Sequence, residues 1–542
     1  MRLNNILHKN YTLAQEFYQL KLPLDIDSII PNNDSVRLLS QFVEEMELSK
    51  LYSTYSRIRK NSVTPKQMLK IMLYAYMNRK YSARDIETAC LRDINFMFLL
   101  EGMCAPDHAT IARFRTLHFA PFAKEIFTQM TEILYTLGEI SGKNIFIDGT
   151  KIESCANKYT FVWKKAVTKN LARLLSKLAD FIADCEGQYG IKIIYKNKVS
   201  LHHLKRLRKK LYKIKKEENI TFVHGIGKRK SPLQKSIEQL ETFLNKLKEY
   251  TQKLYKCGTR NSYSKTDLDA TFMRMKEDAM LNGQLKPGYN LQHGVDAQYI
   301  TWLTVGSEPT DTTTLIPFLK DMELHLNFKY QNIVADSGYE SEENYLFIES
   351  NEQVAYIKPA NYEISQTRKY KTDISRRENM TYDEDEDIYL CRAGKKLTVT
   401  GLKRSKSKTG YVSEKTQYTC EDCSNCEFKG QCIKGNNSKI PFEERTKRLE
   451  VSKIFQQKRA EDLERILTDE GCKLRMNRSI QAEGSFANIK ADMSFRRYLC
   501  RGKKNVLAES ILLAMAHNVN KLDHKIQNES TGKYLFELKK EA

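Results

Sequence analysis

"NIFIDGTKIES", residues 144–154, carries one carboxylate, Asp148, behind the apolar run Ile145, Phe146 and Ile147 and directly ahead of Gly149. The run reads as a central strand buried on both faces, with Asp148 near its middle or end. Leaving an ionised carboxylate buried and unpaired costs several kcal/mol, comparable with a fold's whole stability margin. A carboxylate kept there is therefore paired or bound to a metal ion.

The pattern recurs at "NIVADSGYESEENY", residues 332–345, where Ile333, Val334 and Ala335 deliver Asp336 at the C-terminal end of a short apolar strand, ahead of a glycine and a new helix. Open α/β sheets build ligand sites at such strand ends. Two strand-borne aspartates suggest a hard divalent cation, since Mg²⁺ favours carboxylate oxygens. A third acid is expected from a helix against the sheet, and "NRSIQAEGSFANIKADMSFRRYLCRGKKN", residues 477–505, supplies it. Glu483 and Lys490 lie two helical turns apart and share a face, whereas Asp492 falls half a turn away. Glu483 is the choice and Asp492 the weaker alternative.

The chain has 542 residues, enough for several compact units. Its 89 Lys and Arg against 67 acidic residues give a formal charge of +22, an excess that points to a polyanionic partner, nucleic acid first. No apolar run is long enough to span a bilayer, and the N-terminus, "MRLNNILHKNYTLAQEF", lacks the apolar core of a signal peptide. A soluble, cytoplasmic protein with no membrane partner is expected.

From about Asp34 to Tyr135 helix follows helix. Thr64 caps and Pro65 opens "TPKQMLKIMLYAYMNRK", Ser82 precedes "ARDIETACL", and Pro106 and Asp107 announce a helix carrying Arg113 and Arg115 on adjacent turns. Short helices with tight turns and a basic last member resemble a helix-turn-helix. "GYNLQHGVDAQYITWLTVGSEP", residues 288–309, reads as two strands meeting near Tyr299, and the strands and helices that follow predict a mixed α/β sheet. Between the first and second strands lies a basic interruption with two heptad-like seams, Leu201 to Ile214 and Leu233 to Leu247, predicting an antiparallel helical hairpin. Its first arm, "LHHLKRLRKKLYKIKK", holds eight Lys or Arg and no acid, a stripe suited to tracking phosphates.

"YTCEDCSNCEFKGQC" contributes Cys420, Cys423, Cys426 and Cys432, with Cys391 upstream. Two CxxC steps followed by a further thiol suit a tetrahedral structural Zn²⁺, with five candidates for four places. A ferredoxin-type cluster fits less well, because its fourth Cys stands closer and precedes Pro.

The motifs "IDGTKIE", "VADSGYE" and "EGSFANIKADMSFRRYLCRGKKNV", in this order, resemble the DDE transposases of bacterial insertion sequences, in the RNase H-like superfamily. The resemblance implies that Asp148, Asp336 and Glu483 are catalytic and together bind two Mg²⁺ or Mn²⁺ ions about 4 Å apart. It further implies cleavage at transposon ends by water, then attack of the released 3′-OH on target DNA. One branch carries Tyr, Arg, Glu and Lys around the glutamate. Glu483 and Lys490 fit, but the Arg position holds Ser479 and the Tyr position Met476, with Arg478 and Arg475 nearby as substitutes. DNA contacts are therefore expected from Lys490, Arg478 and Arg475, from the basic cluster Arg496, Arg497, Arg501, Lys503 and Lys504, and from Arg113 and Arg115.

The expected architecture is α/β. An RNase H-like mixed sheet flanked by helices is built from 140–162, 287–360 and 471–525; an N-terminal helical DNA-binding domain covers 1–135; a basic helical hairpin is inserted over 163–286; and an insertion over 361–470 holds the Cys-rich, zinc-ribbon-like segment. The expected partners are double-stranded DNA, as terminal inverted repeats and target, and a second copy of the chain as a homodimer on DNA. A non-catalytic DNA-binding derivative and a metal-dependent nuclease without strand transfer are the alternatives.

Overall fold

The computed structural model describes residues 26–55, 62–196, 198–225, 227–275, 283–435 and 440–537. The N-terminal stretch read above for a leader lies outside them.

A mixed sheet organises the chain. Its strands are β1 (Asn144–Glu153), β2 (Leu285–Asp296), β3 (Tyr299–Gly306), β4 (Asn332–Ala335) and β5 (Val354–Ile357), with a short strand, Thr271–Arg274, along the start of β2. β1 is central: β2 pairs with it antiparallel on one side, β4 parallel on the other, and β5 extends the parallel side. β2 and β3 form a hairpin across Ala297 and Gln298, both with positive φ (52° and 73°), the conformation that matches a tight turn to strand twist.

The helices of the N-terminal region and the long C-terminal helix Lys503–Gln527 share one apolar core with the sheet. Helix Pro65–Met77 packs on the C-terminal helix, and its N-terminus carries the expected cap, a reciprocal box of Thr64 and Gln67. Asp107 caps His108–Arg113 through the Thr110 amide, while Ser82 stands at its cap position without a capping hydrogen bond.

The basic interruption departs from the two-helix hairpin predicted for it. Three helices, Lys164–Tyr189, Leu201–Glu217 and Pro232–Cys257, share a separate apolar core that includes both leucine seams. The first escapes a periodicity reading because its buried residues, from Val167 to Cys185, are diluted by lysines and small residues. The segment after β5 folds into a five-stranded antiparallel sheet, running in order from Arg448–Val451 to Thr381–Asp383, followed by helix Lys453–Leu467, which packs against β5.

Candidate active site

Parallel pairing creates the site. β1 and β4 pair with Ile147 opposite Ala335, so Asp148 and Asp336 leave neighbouring strands side by side. Backbones so paired lie about 4.8 Å apart. Both aspartates are half-buried. The Asp148 carboxylate accepts from the Gly149 amide at 2.8 Å, and Asp336 caps the turn Ser337–Tyr339 by accepting from the Ser337 amide.

Glu483 comes from a helix anchored on its buried face by polar and aromatic contacts. Gln481 accepts from the Gln298 amide at the β2–β3 turn (2.9 Å), Ser485 meets the His293 ring of β2 at 3.1 Å, and Phe486 stacks on that ring at 4.2 Å. Asn488 meets the buried His517 of the C-terminal helix at 2.9 Å. Glu483 lies on the exposed side.

The turn Ser479–Glu483 is π-helical, and so is Asn488–Asp492. Five residues of regular α-helix would put Arg478 and Glu483 on different sides, whereas an i→i+5 turn brings them together. Arg478 donates from Nη2 to Glu483 at 2.8 Å, and its Nη1 lies 3.8 Å from Asp148. One guanidinium thus links Asp148 to the helix glutamate, and the strand pairing sets Asp336 beside Asp148.

A fourth acid, Asp311, joins them. Its Oδ1 accepts from Asn290 (2.7 Å) and Gln292 (3.0 Å), and a Cβ on Gly149 would stand 2.8 Å from it. Burial, and then the charges of Asp311, Asp148 and Asp336, hold the buried Tyr339 hydroxyl far above its ordinary pKa. Asp311 escaped the sequence reading because it stands at a helix start in "EPTDTTTLIP". The available signal was the pair of polar residues, Asn290 and Gln292, on a strand otherwise suited to burial.

Among the described residues, no three His, Cys, Asp or Glu side chains are arranged as a ready metal-ligand set. At the acid cluster the guanidinium of Arg478 lies between Asp148 and Glu483.

The expected DNA-contact residues divide. Arg113 and the cluster Arg496, Arg497, Arg501, Lys503 and Lys504 are exposed. Arg497 and Arg501 are also tied to the chain just past β1, donating to the carbonyls of Ser154, Ala156 and Cys155. Lys490 is half-buried on the second π turn, and Asp492 is exposed and accepts from Asn488 at 3.0 Å. Arg115 corrects the reading: it turns inward to the Tyr76 hydroxyl (3.3 Å), and the carboxylate of buried Glu509 acts on it. Arg475 likewise packs against protein, over the Tyr362 ring at 5.3 Å.

All five cysteines, Cys391, Cys420, Cys423, Cys426 and Cys432, line one small cavity at the end of the five-stranded sheet. The Lys447 amide donates to the Cys423 sulfur at 3.3 Å. Burial and a hydrogen bond with Cys423 push the Cys420 thiol up to about 12.

His517 offers a pH test of how the glutamate helix is anchored. Burial pushes its pKa down from 6.5 to about 4, so the folded ring is neutral where the unfolded one charges. Its contribution is complete above pH 6.5 and is lost as pH falls from there towards 4. The stability gap between wild type and His517→Gln is expected to shrink by about 1.4 kcal/mol per pH unit across that window. Denaturant titrations at several pH values check this; a gap constant with pH would mean that the ring titrates normally.

No helix among the described residues is long and apolar enough to cross a membrane. A family model for a Transposase DDE domain matches residues 390–523, which include Glu483, and a model for a Transposase domain (DUF772) matches residues 24–117. No curated protein and no solved structure matches the chain. Transposase-domain models thus match both its N-terminal helical region and its glutamate-bearing segment, which is consistent with an insertion-sequence DDE transposase.

Proposed function

We propose that the protein is a DNA transposase that cuts at the ends of its own element and joins the freed 3′ ends to target DNA. One observation carries the reading: two aspartates leave adjacent parallel strands at the same level, and Arg478 ties a helix glutamate to the first of them. The mixed sheet, with its central parallel pair and antiparallel hairpin, supports an RNase H-like core.

The donor set suits hard divalent cations. Asp148, Asp336 and Glu483 offer carboxylate oxygens, Asp311 adds a further negative charge beside them, and Arg478 supplies one compensating positive charge. Mg²⁺ or Mn²⁺ held by the triad would supply charge stabilisation to the attacking and leaving oxygens of a phosphodiester substitution. Arg478, whose planar fork suits a phosphate, would be available to one if cations took its place at the carboxylates. In the first step a water oxygen loses a proton and bonds to phosphorus while the bond to the 3′ oxygen breaks and that oxygen takes up a proton. In the second the freed 3′-OH loses its proton and bonds to a phosphorus of the target strand, whose own 3′ oxygen leaves and is protonated.

The exposed cations Arg496, Arg497, Arg501, Lys503 and Lys504 and the lysine- and arginine-rich face of Leu201–Glu217 are proposed to follow the DNA backbone. Arg113 and Lys490 are proposed to join them. Two copies acting on paired ends, in the cytoplasm at the nucleoid, complete the reading. Four of the five clustered cysteines are proposed to hold a structural Zn²⁺. Soft sulfur donors around one cavity and a backbone amide aimed at Cys423 support that assignment.

The test is cleavage of DNA carrying the element's terminal repeats by the purified full chain. Nicking at the repeat boundary is expected with Mg²⁺ or Mn²⁺ and none with a chelator. Cleavage that ignores the chelator would sink the reading, and cleavage without joining would reduce it to a nuclease.

A further inference from the structure

Asp311 sits between β3 and helix Leu315–Glu323, outside every motif that marks the triad. Two side-chain amides converge on one of its oxygens, those of Asn290 and Gln292, and both of these residues are 1% exposed. They alternate along β2 opposite Lys151 and Gly149 of β1. Amides buried in a sheet cost free energy unless their hydrogen bonds are made, so this pair requires partners.

The partners form a closed ring. The Tyr339 hydroxyl donates to the Gln292 side chain. Asn344 donates to the carbonyls of Tyr339 (2.6 Å) and Thr312 (3.0 Å), and the Thr312 hydroxyl donates to the Gly338 carbonyl at 2.9 Å. Thr312 adjoins Asp311 in the chain, which completes the circuit.

The ring touches the backbone just past both aspartates. A Cβ on Gly149 would lie 2.4 Å from the Gln292 amide nitrogen, so only glycine lets the ring pass behind the residue after Asp148. Tyr339 donates its own amide to the Asp336 carbonyl at 3.0 Å, and Gly338 and Tyr339 belong to the turn that Asp336 caps.

We propose that Asp311 is a positioning residue: its carboxylate locks the Asn290–Gln292–Tyr339 ring, which fixes the turns after Asp148 and Asp336 so that the two aspartates present oxygens to the same cations. The proposal rests on the metal-site reading above and assigns Asp311 no direct contact with metal or DNA. Groups that orient metal ligands in this way typically contribute about 10- to 100-fold in metal affinity.

The test is Mn²⁺ binding to the full-length protein without DNA, followed by calorimetry or electron paramagnetic resonance, with melting temperatures recorded metal-free. Asp311→Asn keeps an oxygen for both amides and is expected to bind Mn²⁺ within about threefold of wild type, while Asp311→Ala weakens binding about tenfold or more. In the cleavage assay the same Asp311→Ala change raises the half-saturating metal concentration, and saturating metal restores the maximal rate. Wild-type affinity in Asp311→Ala would overturn the proposal. Equal loss in Asp311→Asn and Asp311→Ala would also overturn it, by making the charge itself a ligand. If Asp311→Ala does not fold, Tyr339→Phe carries the test by opening the ring at one hydroxyl: weaker binding supports the proposal and unchanged binding overturns it. Asp148→Asn and Glu483→Gln run alongside. Unchanged Mn²⁺ affinity in those two defeats the metal-site reading itself, whereas loss in them with none in Asp311→Ala defeats only the ring.

Discussion

Asp148→Asn, Asp336→Asn and Glu483→Gln are each expected to lower metal-dependent DNA cleavage by about a thousandfold or more while leaving the protein folded. Each exchange keeps shape and removes one charged oxygen donor. A metal ion contributes several kcal/mol to charge stabilisation in the transition state, and each loss of about 1.4 kcal/mol is tenfold in rate. The cost to stability is far smaller. Glu483 is more than half exposed, so its pair with Arg478 is worth at most about 1 kcal/mol. Asp148 loses one ion pair at 3.8 Å, and Asp336→Asn removes a like charge from a crowded carboxylate cluster. Cleavage rates and melting curves measured on the same preparations separate the two effects. Cleavage at the wild-type rate in any of the three would remove that residue from the chemistry.

The second large effect is expected at the cysteines. Structural zinc sites bind with about 10–16 kcal/mol of apparent free energy that doubles as folding free energy. The sheet bearing the cysteines has a small apolar core, from Met380 to Val451, to which Cys420 and Cys423 themselves belong. The purified chain is therefore expected to carry about one zinc, and Cys423→Ser or prolonged chelation to unfold this sheet selectively. Elemental analysis and limited proteolysis over residues 381–451 would report it. A metal-free protein with that sheet intact and protease-resistant would refute the assignment.

The sequence exposed some parts of this site and hid others, for physical reasons. Asp148 and Asp336 were legible because a charge closing an apolar run contradicts the run, and that contradiction survives without knowing any partner. Their adjacency was not legible: it depends on β1 and β4 pairing across the whole three-helix insertion. Glu483 was readable from its motif. Its link to Arg478 was not, because an α-helical spacing assumes a turn that the π-helical stretch does not have. Asp311 was hidden because Asn290 and Gln292 announce only that a buried strand needs a polar partner, and no local pattern says that a residue beyond β3 supplies it. Arg115 misled for the opposite reason. A basic residue on a short amphipathic helix looks solvent-facing until the buried Glu509, far along the chain, gives it an internal counter-charge.

The two wide turns in the glutamate helix make that segment a length standard. Between Arg478 and Asp492, each anchoring side chain meets its partner at a fixed angular phase: Gln481 at the hairpin turn, Ser485 at His293 and Asn488 at His517. Each residue advances a helix by about 100°. Deleting a single residue there would swing every later side chain past its partner, even if each amino acid were individually acceptable. Drift in this lineage should therefore replace residues between positions 478 and 492 far more readily than it inserts or removes them, and gaps in the family's sequences should accumulate in the loops of the three-helix and five-stranded units instead.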